Sequence, residues 1–315
     1  MLLKLPRHLL FLFPSVMALV SCGNETTLCE GDDCAALTQS ALFVRLENGN
    51  DRPHWHRFTG SGLTALEGMY PGSTPLAYHA GLDLLAAKSL SGDGMRLTLY
   101  RGGGGVLTEE TTRNQANTDE MSALCMTGDG HLWLLHRGRY DEEDPRAGRY
   151  ILSRGSTALK EWDNFFLTGD SEEDTLYGSV IEKPVHLFCG EDGREVFLTT
   201  FLYSGETERS LLRLPRLSLL QVYLYRFDPA ERLLQPVAGF TPRGNGPVRA
   251  HYDSRSGRFA VFQNGRLSLQ KGLGFPEERE YPESSEALFS QEGGPFRLFL
   301  ISKDRRGIRG RIERP

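Results

Sequence analysis

Residues 122–138 read SALCMTGDGHLWLLHRG, and RYILSRG follows at 149–155. The first part is an apolar run ending in Asp129-Gly130, a dipeptide that supplies the positive φ of a tight hairpin turn. HLWLL then sets apolar side chains at successive positions, the pattern of a strand covered on both faces. A more polar strand comes third. The unit is an apolar strand, a Gly turn, a stronger apolar strand, a loop and a polar strand.

The unit recurs at 82–102 (LDLLAAKSLSGDGMRLTLYRG), 184–203 (PVHLFCGEDGREVFLTTFLY), 248–265 (VRAHYDSRSGRFAVFQNG) and 286–302 (EALFSQEGGPFRLFLIS), with Gly at 94, 130, 193, 257 and 294 marking the turns. An earlier pair, ALFVRLENG then PHWHRFTG, makes a sixth copy. Strands such as RLSLQK and GIRGRIER read as wet outer edges. Repeats of about 45 residues, buried at one side and polar at the other, are the signature of propeller blades. The fold expected is all-β, a β-propeller of about six blades. Uneven turn spacing leaves five to seven open, and a β-sandwich, which should alternate more cleanly, is the alternative. No four-turn helix stands out, since Leu82 to Leu90 also reads as a buried strand. Pro and Gly are scattered through 41–315, so no linker divides that span, which is assigned to the propeller.

The N-terminal stretch is different. Lys4 and Arg7 precede a twelve-residue apolar segment, Leu9 to Val20, that contains Pro14 and no charge. It is too short to span a bilayer as a helix, and its order is that of a secretory signal. It ends Leu19-Val20-Ser21-Cys22, which resembles the lipobox of bacterial lipoprotein precursors. The resemblance implies removal of residues 1–21, acylation of Cys22 and attachment to a lipid bilayer through the acyl chains. Gly23 stands where an Asp would retain such proteins in the inner membrane, so the resemblance points to the outer membrane within the cell envelope.

Export sets the redox compartment, because thiols outside the cytoplasm tend to oxidise. Cys29 and Cys34 enclose Glu30-Gly31-Asp32-Asp33, a short polar loop that suits a local disulfide better than a zinc site, which needs four N or S ligands. Residues 22–40 are therefore read as a polar tether with a staple. Cys125 and Cys189 occupy nearly equivalent places ahead of the Gly turn in consecutive units. They are either two thiols facing one inter-blade core or a bridge, since a disulfide needs Cα atoms about 4.4 to 6.8 Å apart and packed sheets stand about 10 Å apart.

Composition narrows the partner. The leader carries Lys4 and Arg7 and no acidic residue, so its removal moves the net charge from −5 to −7. That acidity argues against nucleic acid. A hydrophobic content of 39% with 10% aromatic residues is enough for a packed core.

The strand, Asp-Gly, aromatic-strand pattern resembles the blades of bacterial sialidase-like propeller proteins over most of residues 76–302. The likeness is one of fold. Thr127-Gly128-Asp129-Gly130 places Gly one position early for an Asp-box, and the nearest string to the Arg-Ile-Pro element is Arg213-Leu214-Pro215 in mid-chain. That family's arginines, tyrosine and acid therefore map onto no residues of this sequence.

Other chemistry is sparse. His54 and His56 share one face of a strand around Trp55 and read as a solvated edge rather than metal ligands. Arg101-Gly-Gly-Gly-Gly105 lacks the Gly-Lys-Ser/Thr of a phosphate loop, and the acidic runs 141–144 and 170–174 lack calcium-loop spacing. No cofactor motif, metal site or catalytic residue is assigned. The reading favoured is a non-catalytic binding or scaffold module that offers a propeller face to a protein or glycan. The alternative is a carbohydrate-active hydrolase using loop carboxylates such as Glu142, Asp144 or Glu173, which would have to face each other across a pocket at about 5 to 10 Å.

Overall fold

A computed structural model describes residues 26–30, 35–39, 42–47, 54–92, 94–102, 106–116, 118–138, 149–167, 180–190, 195–206, 216–244, 246–289 and 296–315. Among them lie 24 strands, in six four-stranded antiparallel sheets. Blade 1 is β2 (Ala35–Gln39), β3 (Phe43–Glu47), β4 (His54–Phe58) and β5 (Leu63–Ala65). Blade 2 is β6 (Thr74–His79), β7 (Leu84–Ser91), β8 (Gly94–Arg101) and β9 (Thr108–Ala116). Blade 3 is β10 (Thr118–Met126), β11 (His131–Gly138), β12 (Tyr150–Ser156) and β13 (Trp162–Phe166). Blade 4 is β14 (Val180–Cys189), β15 (Val196–Glu206), β16 (Arg216–Asp228) and β17 (Leu233–Phe240). Blade 5 is β18 (Val248–Asp253), β19 (Arg258–Gln263), β20 (Arg266–Lys271) and β21 (Glu277–Glu280). Blade 6 is β22 (Glu286–Phe289), β23 (Leu298–Asp304), β24 (Gly307–Glu313) and, as its fourth strand, β1 (Thr26–Glu30). The chain is a six-bladed β-propeller.

The second strands explain why the sheets stand as blades. Side chains alternate across a strand, so a strand apolar at every position feeds two cores at once. In β11, Leu132 and Leu134 pack toward blade 2 while Trp133 and Leu135 pack toward blade 4. In β19, Phe259 and Val261 face blade 4 and Ala260 and Phe262 face blade 6. In β7, Leu85 and Ala87 face blade 1 and Leu84 and Ala86 face blade 3. The result is six apolar cores, each shared by two neighbouring blades, the last joining blades 6 and 1. Each fully buried large side chain contributes roughly 1.5–3 kcal/mol through water exclusion.

One boundary and the placing of the outer edges differ from the sequence reading. The propeller was expected to begin at residue 41, after a tether at 22–40, but β1 and β2 carry it back to Thr26. Neither strand has enough apolar character to declare itself, and β1 exists only by pairing with β24, in the register Thr26 with Gly310 and Glu30 with Gly307. The strands expected as wet outer edges are third strands. Leu267 and Leu269 of β20 are buried, and the exposed rim is β21, Glu-Glu-Arg-Glu.

Ring closure by β1 puts a demand on one residue. Gly307 begins β24 at φ +135°, and a Cβ there would lie 2.1 Å from the Cys29 carbonyl oxygen. Only glycine allows the two chain ends to approach that closely.

Because each blade is an up-and-down sheet of four strands, turns sort by end. First-to-second and third-to-fourth turns open at one end of the ring; second-to-third turns and blade-to-blade crossovers open at the other. Thr26, at the start of a fourth strand, enters at the end that carries the third-to-fourth turns.

Candidate functional site

The first strands of the six blades surround a central channel with a cavity of about 700 Å³. Along its wall stand Arg57, Lys88, Lys183, Arg249 and Arg255, with Glu120 and Asp253 as the acidic members. Blades 1 to 4 contribute one of these groups each and blade 5 contributes three, so residues far apart in sequence meet here.

Most of the charges are tied to one another. Lys183 Nζ lies 3.4 Å from Glu120, which also accepts from the Ser122 hydroxyl at 3.1 Å. Lys88 Nζ donates to the Met121 carbonyl at 2.5 Å, and burial lowers its pKa, partly offset by Glu120. Arg249 of blade 5 reaches Glu286 of blade 6 at 3.0 Å. The Thr38 hydroxyl of blade 1 accepts from Arg249 Nε at 2.9 Å and donates to Glu286 at 2.9 Å, so three blades share one polar cluster. Arg57 is 5% exposed, with its guanidinium 3.7 Å above the Tyr78 ring. Burial lowers the Arg57 pKa and raises that of Tyr78, whose hydroxyl donates to Asp83 at 3.1 Å.

Two histidines stand deeper. His251 is 2% exposed, lies parallel to Phe289 (5.4 Å, 13°) and Phe296 (5.9 Å, 17°), and meets Phe188 edge-on at 5.4 Å. His186 is half-buried against Phe201. His251 Nδ1 and His186 Nε2 are both enclosed without a hydrogen-bond partner. An imidazolium in that setting would be a poorly solvated charge. Burial holds His186 down to about 3, helped by Arg249 and His251, and His251 down to about 4 against the pull of Asp253.

The residues singled out in the sequence fall elsewhere. Cys125 and Cys189 form a disulfide with Cα atoms 5.7 Å apart, which settles the alternative left open above in favour of the bridge. Cys29 is disulfide-bonded; its expected partner Cys34, and the expected anchor Cys22, lie outside the described residues. Glu142, Asp144 and Glu173 also lie outside them, as does Arg213-Leu214-Pro215. His54 is exposed and His56 half-buried around the buried Trp55, but their strand is not the edge that was expected: β4 pairs with β3 on one side and β5 on the other. Thr127 to Gly130 forms the hairpin turn of blade 3, with the Thr127 hydroxyl bonded to Asp129, whose carboxyl it holds below the usual range. Among the described residues no three His, Cys, Asp or Glu side chains converge to hold a metal ion.

The channel groups had no local signature. Arg249 lies in VRAHYD and Lys183 in EKPVHL, strings that read only as first strands. Their shared position within the repeat was the available signal, since first strands line a propeller's axis.

No family model and no curated protein matches the chain. Among solved structures it is similar to a gluconolactonase from Xanthomonas campestris, at 13% identity and a TM-score of 0.47, over 93% of this chain and 96% of that one. It is also similar to the Dos1 propeller, at 12% identity and a TM-score of 0.41, over 92% and 95%. A third is the periplasmic gluconolactonase of Pseudomonas aeruginosa, at 16% identity and a TM-score of 0.38, over 87% and 86%. Likenesses this distant carry no statement about chemistry.

Proposed function

We propose that the chain is a lipoprotein of the bacterial cell envelope, held on the outer membrane by acyl chains on Cys22, and that it works as a binding module rather than an enzyme. Its partner is a glycan, and the channel receives an acidic sugar unit of it. The observation that supports this is the channel wall, where five basic side chains stand against Glu120, Asp253 and the Glu286 that pairs with Arg249. In a partly desolvated cavity such an excess favours an anion. Aromatic walls at Tyr78, Phe188 and Phe296 offer flat surfaces to a sugar ring, and the volume lies within the usual range for small-molecule sites, about 300–1,000 Å³.

Titration calorimetry on the detergent-solubilised full chain tests the reading, with a glucuronate disaccharide, inorganic phosphate and glucose as probes. The acidic sugar should bind more tightly than the other two, and Lys183→Gln should weaken it. Equal affinity for glucose, or no binding of the acidic sugar, overturns the proposal; cleavage of the disaccharide would establish the hydrolase reading in its place.

A further inference from the structure

We infer that the propeller lies on the bilayer by one end of its ring, with Leu273 and Phe275 seated among the lipids. The inference rests on the acyl anchor proposed at Cys22. Only Gly23, Asn24 and Glu25 separate Cys22 from Thr26. A chain of that length, fully extended, reaches at most about 14 Å. The rim where β1 meets β24 is therefore held close to the membrane surface, and Thr26 fixes which end of the ring faces it.

That end carries the third-to-fourth turns. In blade 5, next to the point where the chain enters, this turn is Gly272-Leu273-Gly274-Phe275-Pro276, with Leu273 80% and Phe275 102% exposed. The matching turn of blade 4 leads into Leu233, 49% exposed, and that of blade 2 presents Val106, 74% exposed. Single exposed apolar residues are ordinary on any protein. Here they sit on corresponding turn tips at one end, the two most exposed beside the anchor.

Two neighbouring cations suit a headgroup layer, and the exposed Glu277 that follows the turn is paired with Arg279 at 2.7 Å. Arg258 and Lys271 are paired across β19 and β20, both exposed, at the base of the Leu273 turn. Aromatic side chains settle at the membrane interface, and cations there meet anionic lipids. A tethered domain needs little further affinity, because the anchor makes the contact intramolecular. Among the described residues no helix is long and apolar enough to cross a membrane.

Leu90 is the internal control. It is 86% exposed near the end of β7, where the second-to-third turn of blade 2 opens at the opposite end of the ring. The full acylated chain, reconstituted in phosphatidylethanolamine–phosphatidylglycerol vesicles with or without brominated acyl chains, is compared as Phe275→Trp and Leu90→Trp. The emission added by Phe275→Trp should be quenched several-fold by brominated lipid, and that added by Leu90→Trp should not. Acyl labelling of Cys22 is followed on the same samples. Normal labelling without quenching at 275, or with equal quenching at 90, overturns the membrane-facing assignment alone and leaves that end to a second copy or a protein. Absent labelling overturns the anchor, and the assignment with it.

Discussion

Cys125 and Cys189 join the first strands of blades 3 and 4 across a Cα separation of 5.7 Å. Neighbouring sheets in a propeller diverge toward the rim, so this spacing is reached only beside the axis, where both residues border the channel. The bridge closes a loop with a sequence separation of 64 residues, restricting the unfolded chain. The paired change Cys125→Ala/Cys189→Ala should lower stability by about 2–4 kcal/mol, read from urea unfolding without reductant. A midpoint equal to that of the unaltered protein would show that the inter-blade core alone holds these strands.

Gly307→Ala attacks ring closure. The added methyl meets the Cys29 carbonyl at a backbone conformation that side chains rarely adopt, so β1 must draw away from β24. The expected loss is about 1–3 kcal/mol. Hydrogen exchange localises it: amides of Thr26–Glu30 and of β24 should lose protection ahead of blades 2 to 4. Uniform loss around the ring would contradict the latch.

The two channel histidines predict an acid-side weakness. Folding holds both neutral, at about 3 for His186 and about 4 for His251, against about 6.5 for an imidazole in the unfolded chain. Between the folded and unfolded values the unfolded chain binds protons that the folded one does not. Stability is therefore full above about pH 6.5 and falls as pH drops toward 4. Replacing His251→Phe, in a setting already formed by Phe188, Phe289 and Phe296, should flatten that decline relative to the unaltered protein. Identical pH profiles would remove His251 as a cause.

Arg249 holds blades 5, 6 and 1 together through Glu286 and Thr38. Both partners of the ion pair are about a fifth exposed, at 22% and 18%, so the solvent-screened cost of Arg249→Met is about 1–3 kcal/mol, below that of a fully enclosed pair. Adding Glu286→Gln should recover part of the loss, since it removes the stranded carboxylate. Thermal melts of the two single variants and the double variant give the coupling; strictly additive effects would mean that the two groups act independently.

Cys22→Ala should abolish acyl labelling and move the protein from the membrane to the soluble fraction. Labelling that persists would place the modification on another residue.

The blades were readable because their second strands are extreme. HLWLL and RFAVF have apolar side chains on both faces, and no solvated sheet tolerates that. The fourth strands were not, because sequences such as TEETTRNQA and EERE are held by backbone pairing at a wet rim and carry little apolar signal. The N-terminal strands were missed for a related reason: TTLCE becomes a strand only when the far end of the chain comes back to it. The channel was invisible in the same way. Lys183, His186, Arg249 and Glu286 gain meaning from convergence across blades, which no local window contains. Of the cysteines, the spacing of 125 and 189 within the repeat showed that they are neighbours, and the narrowing of the ring toward its axis decided that they are joined.

Blade 6 takes three strands from one terminus and one from the other, and the lone strand is the one nearest Cys22, where the acyl anchor is proposed. A pull on the proposed anchor would be delivered first to the ladder between β1 and β24, peeling it from Thr26. With that anchor in place, the seam that makes the circle would also be the seam that bears the load, and detachment by force would begin by opening the toroid.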